Sequence, residues 1–336
     1  MDEKGSVVVW GAGSWGTALA LHLVQSGART ALWVFEEDQF ETLSKSRVSP
    51  DFLPGFPIPK ELELFHDPMS PPFEAEFWVS VVPTQHLRAL WGKIGPRCPK
   101  GAVVVSASKG IENNTFLPPS AILEETLPRA SAPVVALSGP SFAVDLCKGD
   151  PTAVVFACGD AERAKRAQRL FSHGHFRGYL SNDRTGVELG GAVKNVIALA
   201  CGVAAGLGFG PNATAAIITR GLREIVRLGV AMGAQAETFS GLSGIGDLVL
   251  TCTGSESRNR GVGVRIGRGE KLRDILGSMK MVAEGVPTTK AVAELARRHA
   301  VEMPITFVIE RILFEGLDPK TALKELLARG LKAETA

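Results

Sequence analysis

Lys194 is the only cation between Arg184 and Arg220, in a stretch otherwise rich in Gly, Ala, Val, Ile and Leu. The residues around it, Val187 to Ala200, read as a mostly buried helix. An unpaired charge there costs roughly several kcal/mol. Burial also lowers the pKa of an amine, so that it exchanges protons near neutrality. A lysine that snorkels to solvent past Gly190 and Gly191 is the competing reading, and this helix alone leaves both open. Further on, Gly241-Leu242-Ser243-Gly244-Ile245-Gly246-Asp247 sets a carboxylate after a run of small residues. Asp247 suits a partner that holds the Lys194 amine and tunes its proton affinity. It could equally cap the helix that follows. Ser257-Arg258-Asn259-Arg260 gathers donors able to grip a phosphate, or forms a solvated loop.

A second chemistry is written near the N-terminus. Gly11-Ala12-Gly13-Ser14-Trp15-Gly16 fits G-x-G-x-x-G between an apolar strand, Val7 to Trp10, and a helix opening at Thr17-Ala18-Leu19-Ala20. Gly11 and Gly13 permit a tight turn and close approach to a pyrophosphate, while Gly16 lets helix and strand pack. Free N–H groups at the start of that helix meet the negative charge. About 20 residues beyond the fingerprint an acid is expected on the adenosine ribose. Here Val34 is followed by Phe35-Glu36-Glu37-Asp38, with no Arg or Lys close by in sequence. Those acids either form a solvated turn or repel a 2′-phosphate, and the second reading leans towards NAD over NADP. Ligands of such sheets collect beyond the carboxyl ends of strands. Lys109, after Val103-Val104-Val105, and the turn Ser138-Gly139-Pro140-Ser141, after Val134 to Leu137, both lie there.

These residues need elements to hold them. From Ser6 to about Tyr179, short β-branched runs alternate with helical patterns, as a parallel sheet wrapped by helices requires. The proline-rich stretch between Asp51 and Pro72 reads as an irregular excursion from that sheet. After about Gly186 only long apolar helical stretches follow, with helices expected at 212–232 (Asn212 as cap), 288–299, 304–314 and 318–327. The predicted fold is therefore an α/β, Rossmann-like doubly wound sheet over 1–185 followed by an all-α domain over 186–336. A 336-residue chain can bury a core in each. Its net charge of +2 and the lack of basic runs exclude a broad nucleic-acid or membrane footprint. The N-terminus runs into a strand without a signal peptide, so a cytoplasmic protein with no integral membrane contact is expected. The five cysteines form no C-x-x-C pair or zinc spacing, and free thiols with no metal are expected.

Taken together the segments resemble bacterial-type NAD(P)-dependent glycerol-3-phosphate dehydrogenase. The resemblance runs through Gly11 to Ala20, Ser108-Lys109-Gly110, Ser138 to Ala143, Gly190 to Val196, Ile218 to Leu222, Gly244 to Thr253, Ser257 to Arg260 and Val282 to Gly285. It implies reversible reduction of dihydroxyacetone phosphate to sn-glycerol 3-phosphate, feeding phospholipid synthesis. Lys194 would give and take the proton, with Asp247 beside it. Lys109, Gly139, Ser141, Asn195, Ser257, Arg258 and Asn259 would contact substrate, Arg258 and Asn259 at its phosphate. Ser14, Trp15, Lys109, Ala143, Arg258, Val282 and Glu284 would contact the dinucleotide, and Phe35 and Glu36 lie near its adenosine ribose. Phe35 departs from many bacterial relatives, which carry a basic or polar residue there. The resemblance also implies a homodimer. Two other readings remain open: a different hydroxyacid or sugar-acid dehydrogenase of the same architecture, which the Arg258-Asn259 pair argues against, and a nucleotide-sensing protein without catalysis.

Overall fold

Strands buried on both faces must read as unbroken apolar runs, and the runs before Gly186 do so. The structure, a computed structural model, describes residues 5–328 and residue 330. The strands are β1 (Ser6–Trp10), β2 (Arg29–Trp33), β3 (Val48–Ser49), β4 (Leu53–Pro57), β5 (Glu63–Phe65), β6 (Phe77–Ser80), β7 (Val103–Ser106), β8 (Val135–Ser138), β9 (Thr152–Ala157) and β10 (Phe176–Ser181). Eight of them form one sheet in the order β10-β9-β8-β7-β6-β1-β2-β5. Every pairing in it is parallel except β8 with β9. The chain leaves β1 for β2 on one side and returns to β6 on the other. That switch opens a crevice beyond the carboxyl ends of β1 and β6.

Two details differ from expectation. The proline-rich excursion contains β4, which pairs antiparallel with β3 just before it, and β5, which rejoins the sheet as its edge. Arg177 and Gly178 interrupt the apolar pattern of β10, which hid that strand in the sequence. Helices α1 (Ser14–Gln25), α2 (Glu37–Ser46), α3 (Thr84–Ile94), α4 (Pro119–Glu124), α5 (Ala143–Lys148) and α6 (Ala161–Phe171) flank the sheet. One face buries Val7, Val9, Val79 and Val105, and the other buries Val8, Trp10, Trp78 and Val104. This is the alternation a pleated strand imposes.

Beyond Ser181 the described residues hold helices only: α7 (Arg184–Gly206), α8 (Pro211–Ala231), α9 (Asp247–Thr253), α10 (Arg258–Gly267), α11 (Leu272–Gly277), α12 (Gly285–Arg298), α13 (Pro304–Phe314) and α14 (Pro319–Leu327). Asn212 is not the cap of α8. Gly210 takes that place, and Pro211 occupies the first turn, where a missing N–H costs nothing. Helix α12 begins at Gly285, three residues before the expected start. Helix α7 is long and apolar enough to cross a membrane, yet 89% of its most apolar window is buried inside the protein. It is the axis of the helical core. Glycines bring α10 against it: a Cβ on Gly202 would stand 2.1 Å from the Arg260 carbonyl, and one on Gly263 2.2 Å from the Leu199 carbonyl. Ile111 and the half-buried Phe116, from the loop after β7, also pack into this helical core.

Candidate active site

Helix α7 starts with Asp183 as its cap, whose carboxylate accepts the Gly186 N–H at 2.9 Å. Three turns on, Lys194 is 6% exposed. Its neighbours explain the two glycines before it. A Cβ on Gly190 would lie 2.3 Å from the Ser243 carbonyl, and one on Gly191 would lie 2.6 Å from Ser138 Oγ. Bare backbone therefore admits the 242–246 turn and the end of β8 beside the amine. The snorkelling reading is set aside, because the head group ends on buried partners.

Those partners are specific. Lys194 Nζ donates to Asp247 Oδ1 at 2.5 Å and to Thr251 Oγ1 at 2.8 Å. The Thr251 hydroxyl donates in turn to the Asp247 carbonyl at 2.7 Å. Lys109 Nζ donates to the other Asp247 oxygen at 2.7 Å and to the Gly139 carbonyl at 3.1 Å. Gly139 has φ +149°, and a Cβ there would stand 2.9 Å from Val154 Cα, so the turn that offers this carbonyl requires glycine. One buried carboxylate thus carries two ammonium groups, one from each half of the chain. Burial pulls the Lys194 amine down, the Asp247 carboxylate pushes it back up and the Lys109 ammonium lowers it again, which leaves it at about 8. Each ammonium has three protons and spends two on these acceptors, leaving one to point at a ligand oxygen.

Asp247 does not cap α9. It is the first helical residue after Gly246, and its carboxylate is committed to the lysines. Ser257 is a helix cap, accepting the Arg260 N–H at 3.3 Å, which sets the start of α10. Asn259 is 8% exposed and its Oδ1 accepts the Gly285 N–H at 2.9 Å. That bond identifies the oxygen end and turns the amide donors the other way. Arg258 is exposed and interacts electrostatically with Glu284. Asn195 is buried beside Lys194. Ser141 Oγ donates to the Gly139 carbonyl at 2.9 Å, and Ala143 opens α5.

At the glycine turn, a Cβ on Gly11 would meet the Val81 carbonyl at 2.9 Å and one on Gly16 would meet the Gly11 carbonyl at 1.8 Å, whereas Gly13 faces open space within 4 Å. This is the division of labour that a pyrophosphate cradle needs. Gln39 Nε2 holds the turn through the Ala12 carbonyl at 2.9 Å. Ser14 Oγ donates to the Phe52 carbonyl and lies 3.5 Å from Met281 Sδ, while Trp15 Nε1 is buried without a partner. Phe35 is 63% exposed at the end of β2, and Glu36 caps α2 as an exposed residue. Val282 is also exposed. Glu284 Oε1 accepts the Thr84 N–H at 2.9 Å across the two halves, and its Oε2 is buried with no partner. Burial pushes its carboxyl up to about 7, against the Thr84 N–H and the Arg258 charge.

Sequence reasoning overlooked Thr251, Gln39 and Thr84. Thr251 had a signal, since four residues after Asp247 it shares a helix face with it. Gln39 and Thr84 act through tertiary contacts that no spacing announces.

Two family models match the chain. One, described as NAD-dependent glycerol-3-phosphate dehydrogenase N-terminus, matches residues 6–164, and the other, the C-terminus of the same family, matches residues 183–324. The chain is similar to glycerol-3-phosphate dehydrogenase (NAD(P)+) of Syntrophotalea carbinolica, 49% identical over 98% of this chain and 99% of that protein. The protein of that name from Geobacter sulfurreducens is 47% identical over 99% of each. Among solved structures, glycerol-3-phosphate dehydrogenase from Coxiella burnetii superposes with a TM-score of 0.92 at 37% identity, covering 97% of this chain and 99% of that one.

Proposed function

The chain belongs to the NAD-dependent glycerol-3-phosphate dehydrogenase family, and from that premise we propose that it reversibly reduces dihydroxyacetone phosphate to sn-glycerol 3-phosphate with NADH or NADPH, supplying phospholipid synthesis. One observation carries the mechanism: a buried Lys194 amine held by Asp247 and Thr251 beside the Lys109 ammonium. In this reading residues 1–185 form the dinucleotide-binding unit and residues 186–336 the catalytic one. The limits 1–4 and 331–336 lie outside the described residues.

The open space at Gly13 and the unpartnered Trp15 Nε1 and Glu284 Oε2 fit a dinucleotide. Gly11, Gly13, Ser14, Trp15 and Gly16 would hold its pyrophosphate end, with Phe35 and Glu36 at the ribose and Lys109, Ala143, Arg258, Val282 and Glu284 along the rest. When bound, the nicotinamide supplies a hydride to the ketone carbon of the substrate. Arg258 and Asn259 grip the substrate phosphate, with Ser257, Gly139, Ser141 and Asn195 shaping the pocket. Lys194 gives a proton to the ketone oxygen as it gains electrons, and the neutral amine takes that proton back from the hydroxyl in the reverse direction. The Lys109 ammonium adds positive charge beside the same oxygen, where preorganised charge is most effective. The acids after Phe35 favour NADH over NADPH, and we expect a homodimer in the cytoplasm. Steady-state assay of the purified protein with dihydroxyacetone phosphate and either NADH or NADPH tests the reading. Oxidation of the nicotinamide dependent on that triose is expected, with the larger kcat/KM for NADH. No turnover with either cofactor overturns it.

A further inference from the structure

Lys109 reaches Asp247 from the sheet, so something must fix how far the sheet's loop stands from the helical domain. The segment just after it, residues 110–117, is pinned on both sides. On the sheet side Gln85 Nε2 donates to the Ile111 carbonyl at 2.8 Å, Gln85 Oε1 accepts the Asn113 N–H at 3.0 Å, and Arg88 pairs with Glu112 at 2.9 Å. On the helical side Ile111 is fully buried in the helical core and Phe116 packs against it. Arg298, the last residue of α12, lies over the Phe116 ring at 4.1 Å from its centroid. The same helix begins just after Glu284, which accepts the Thr84 N–H. Gly110 fills that corner: a Cβ there would stand 2.6 Å from Thr84 Oγ1 and 3.0 Å from Glu284 Oε2. Helix α12 is therefore gripped at both ends by the sheet unit, and Lys109 sits one residue before the gripped segment.

Phe116 has φ +61°, a left-handed conformation that a bulky residue holds only when its surroundings impose it. The position closes the turn at residues 113–115, beside Asn114 at φ +76°, and a phenylalanine held where glycine would be unstrained marks a ring that packing keeps in place. We propose that Phe116 is a positioning residue: seated in the helical core beneath Arg298, it sets the register of the 110–117 segment and so holds Lys109 on Asp247. The proposal rests on the reading of Lys109, Asp247 and Lys194 as the proton-transfer cluster.

The charged groups around the Lys194 amine are Asp247 from α9 and Lys109 from the loop after β7. If Phe116 is removed and Lys109 withdraws, Asp247 turns wholly to Lys194 and a neighbouring positive charge is lost. The Lys194 amine then rises in pKa. The test compares Phe116→Ala, Phe116→Tyr and Arg298→Leu with the unaltered full-length enzyme, reading kcat against pH in both directions, NADH affinity by fluorescence, and melting temperature. In Phe116→Ala, kcat is expected to fall about tenfold, in line with small misplacements at a reacting centre. The pH limbs of both directions move upward, NADH affinity falls as Lys109 leaves the crevice, and Phe116→Tyr restores both. Arg298→Leu gives the same shift at smaller amplitude and serves if Phe116→Ala fails to fold. Unmoved pH limbs, whatever the melting temperature does, overturn the proposal. Lys194→Ala run alongside separates the two ideas. Full activity in that variant sinks the proton-transfer reading itself, whereas its loss beside unmoved limbs in the Phe116 variants sinks the positioning role alone.

Discussion

Two ammonium groups share one carboxylate at this site, and that arithmetic sets the pH behaviour. Burial favours neutral Lys194, Asp247 favours its charge, and the balance leaves the amine at about 8. Reduction needs the ammonium, so kcat/KM for dihydroxyacetone phosphate holds below about 8 and declines as pH rises through it. Oxidation of glycerol 3-phosphate needs the free amine, so its kcat/KM climbs over the same window. Profiles measured in both directions are expected to cross near that value, and two limbs of the same sign would remove Lys194 from the role. Lys194→Ala is expected to lose on the order of 10²-fold or more in kcat for reduction below about pH 8, where the unaltered enzyme carries the ammonium, as loss of a general acid does. Single-turnover kinetics show this even if product release limits the unaltered enzyme. The lysine itself stood out in the sequence because a cation among small apolar residues asks for a partner. Its partnership with Asp247 could be suspected, since the small residues before that acid suited a close approach. That Lys109 lands on the other oxygen of Asp247 could not, because the two residues lie 138 positions apart and only the closing of two units joins them.

At the scale of elements, the site depends on how closely α10 lies on α7. Gly202 and Gly206 on α7 face Gly263 and Gly267 on α10, with backbone atoms so near that no side chain fits between them. This contact carries Arg258 and Asn259, at the start of α10, towards Lys194 on α7. In Gly263→Ala the new methyl would stand 2.2 Å from the Leu199 carbonyl and 2.9 Å from Gly202 Cα, so the helices must part. The expected cost is about 1–3 kcal/mol in urea unfolding, the usual range for overpacking. The Michaelis constant for dihydroxyacetone phosphate should rise more than kcat falls, since a phosphate is held alike in ground and transition states. A variant destabilised as expected but with an unchanged Michaelis constant would show that Arg258 and Asn259 are placed by something else. The long helices α7, α8, α12, α13 and α14 were readable from their apolar period and the central strands from their β-branched runs, but α10 and α11 were not, since Arg and Gly break the period there. What escaped were elements whose residues answer to neighbours: β10, with its exposed Arg177 and its glycine, and β5, a three-residue edge strand in proline-rich sequence.

The whole molecule is interlocked more tightly than a division at Gly186 suggests. Ile111 and Phe116 of the sheet unit belong to the helical core, Glu284 holds Thr84, and Lys280 pairs with Asp51 at 2.8 Å, next to the Phe52 and Met281 contacts of Ser14. Sheet and helices are therefore expected to unfold as one. The sequence supplies two independent probes of this. All five tryptophans, Trp10, Trp15, Trp33, Trp78 and Trp91, lie in the sheet unit, so their fluorescence reports that unit alone. Far-ultraviolet dichroism at the helical band reports mainly the longer helices after Arg184. In urea the two signals should give coincident curves, the mark of a two-state transition. Saturation with the preferred nicotinamide dinucleotide should move both curves together, by about 2.7 kcal/mol at a hundredfold excess over its dissociation constant. Curves that separate, with only the tryptophan signal shifted by the dinucleotide, would mean that contacts such as Phe116 in the helical core are too weak to couple the two units, and that the crevice closes only when ligand brings them together.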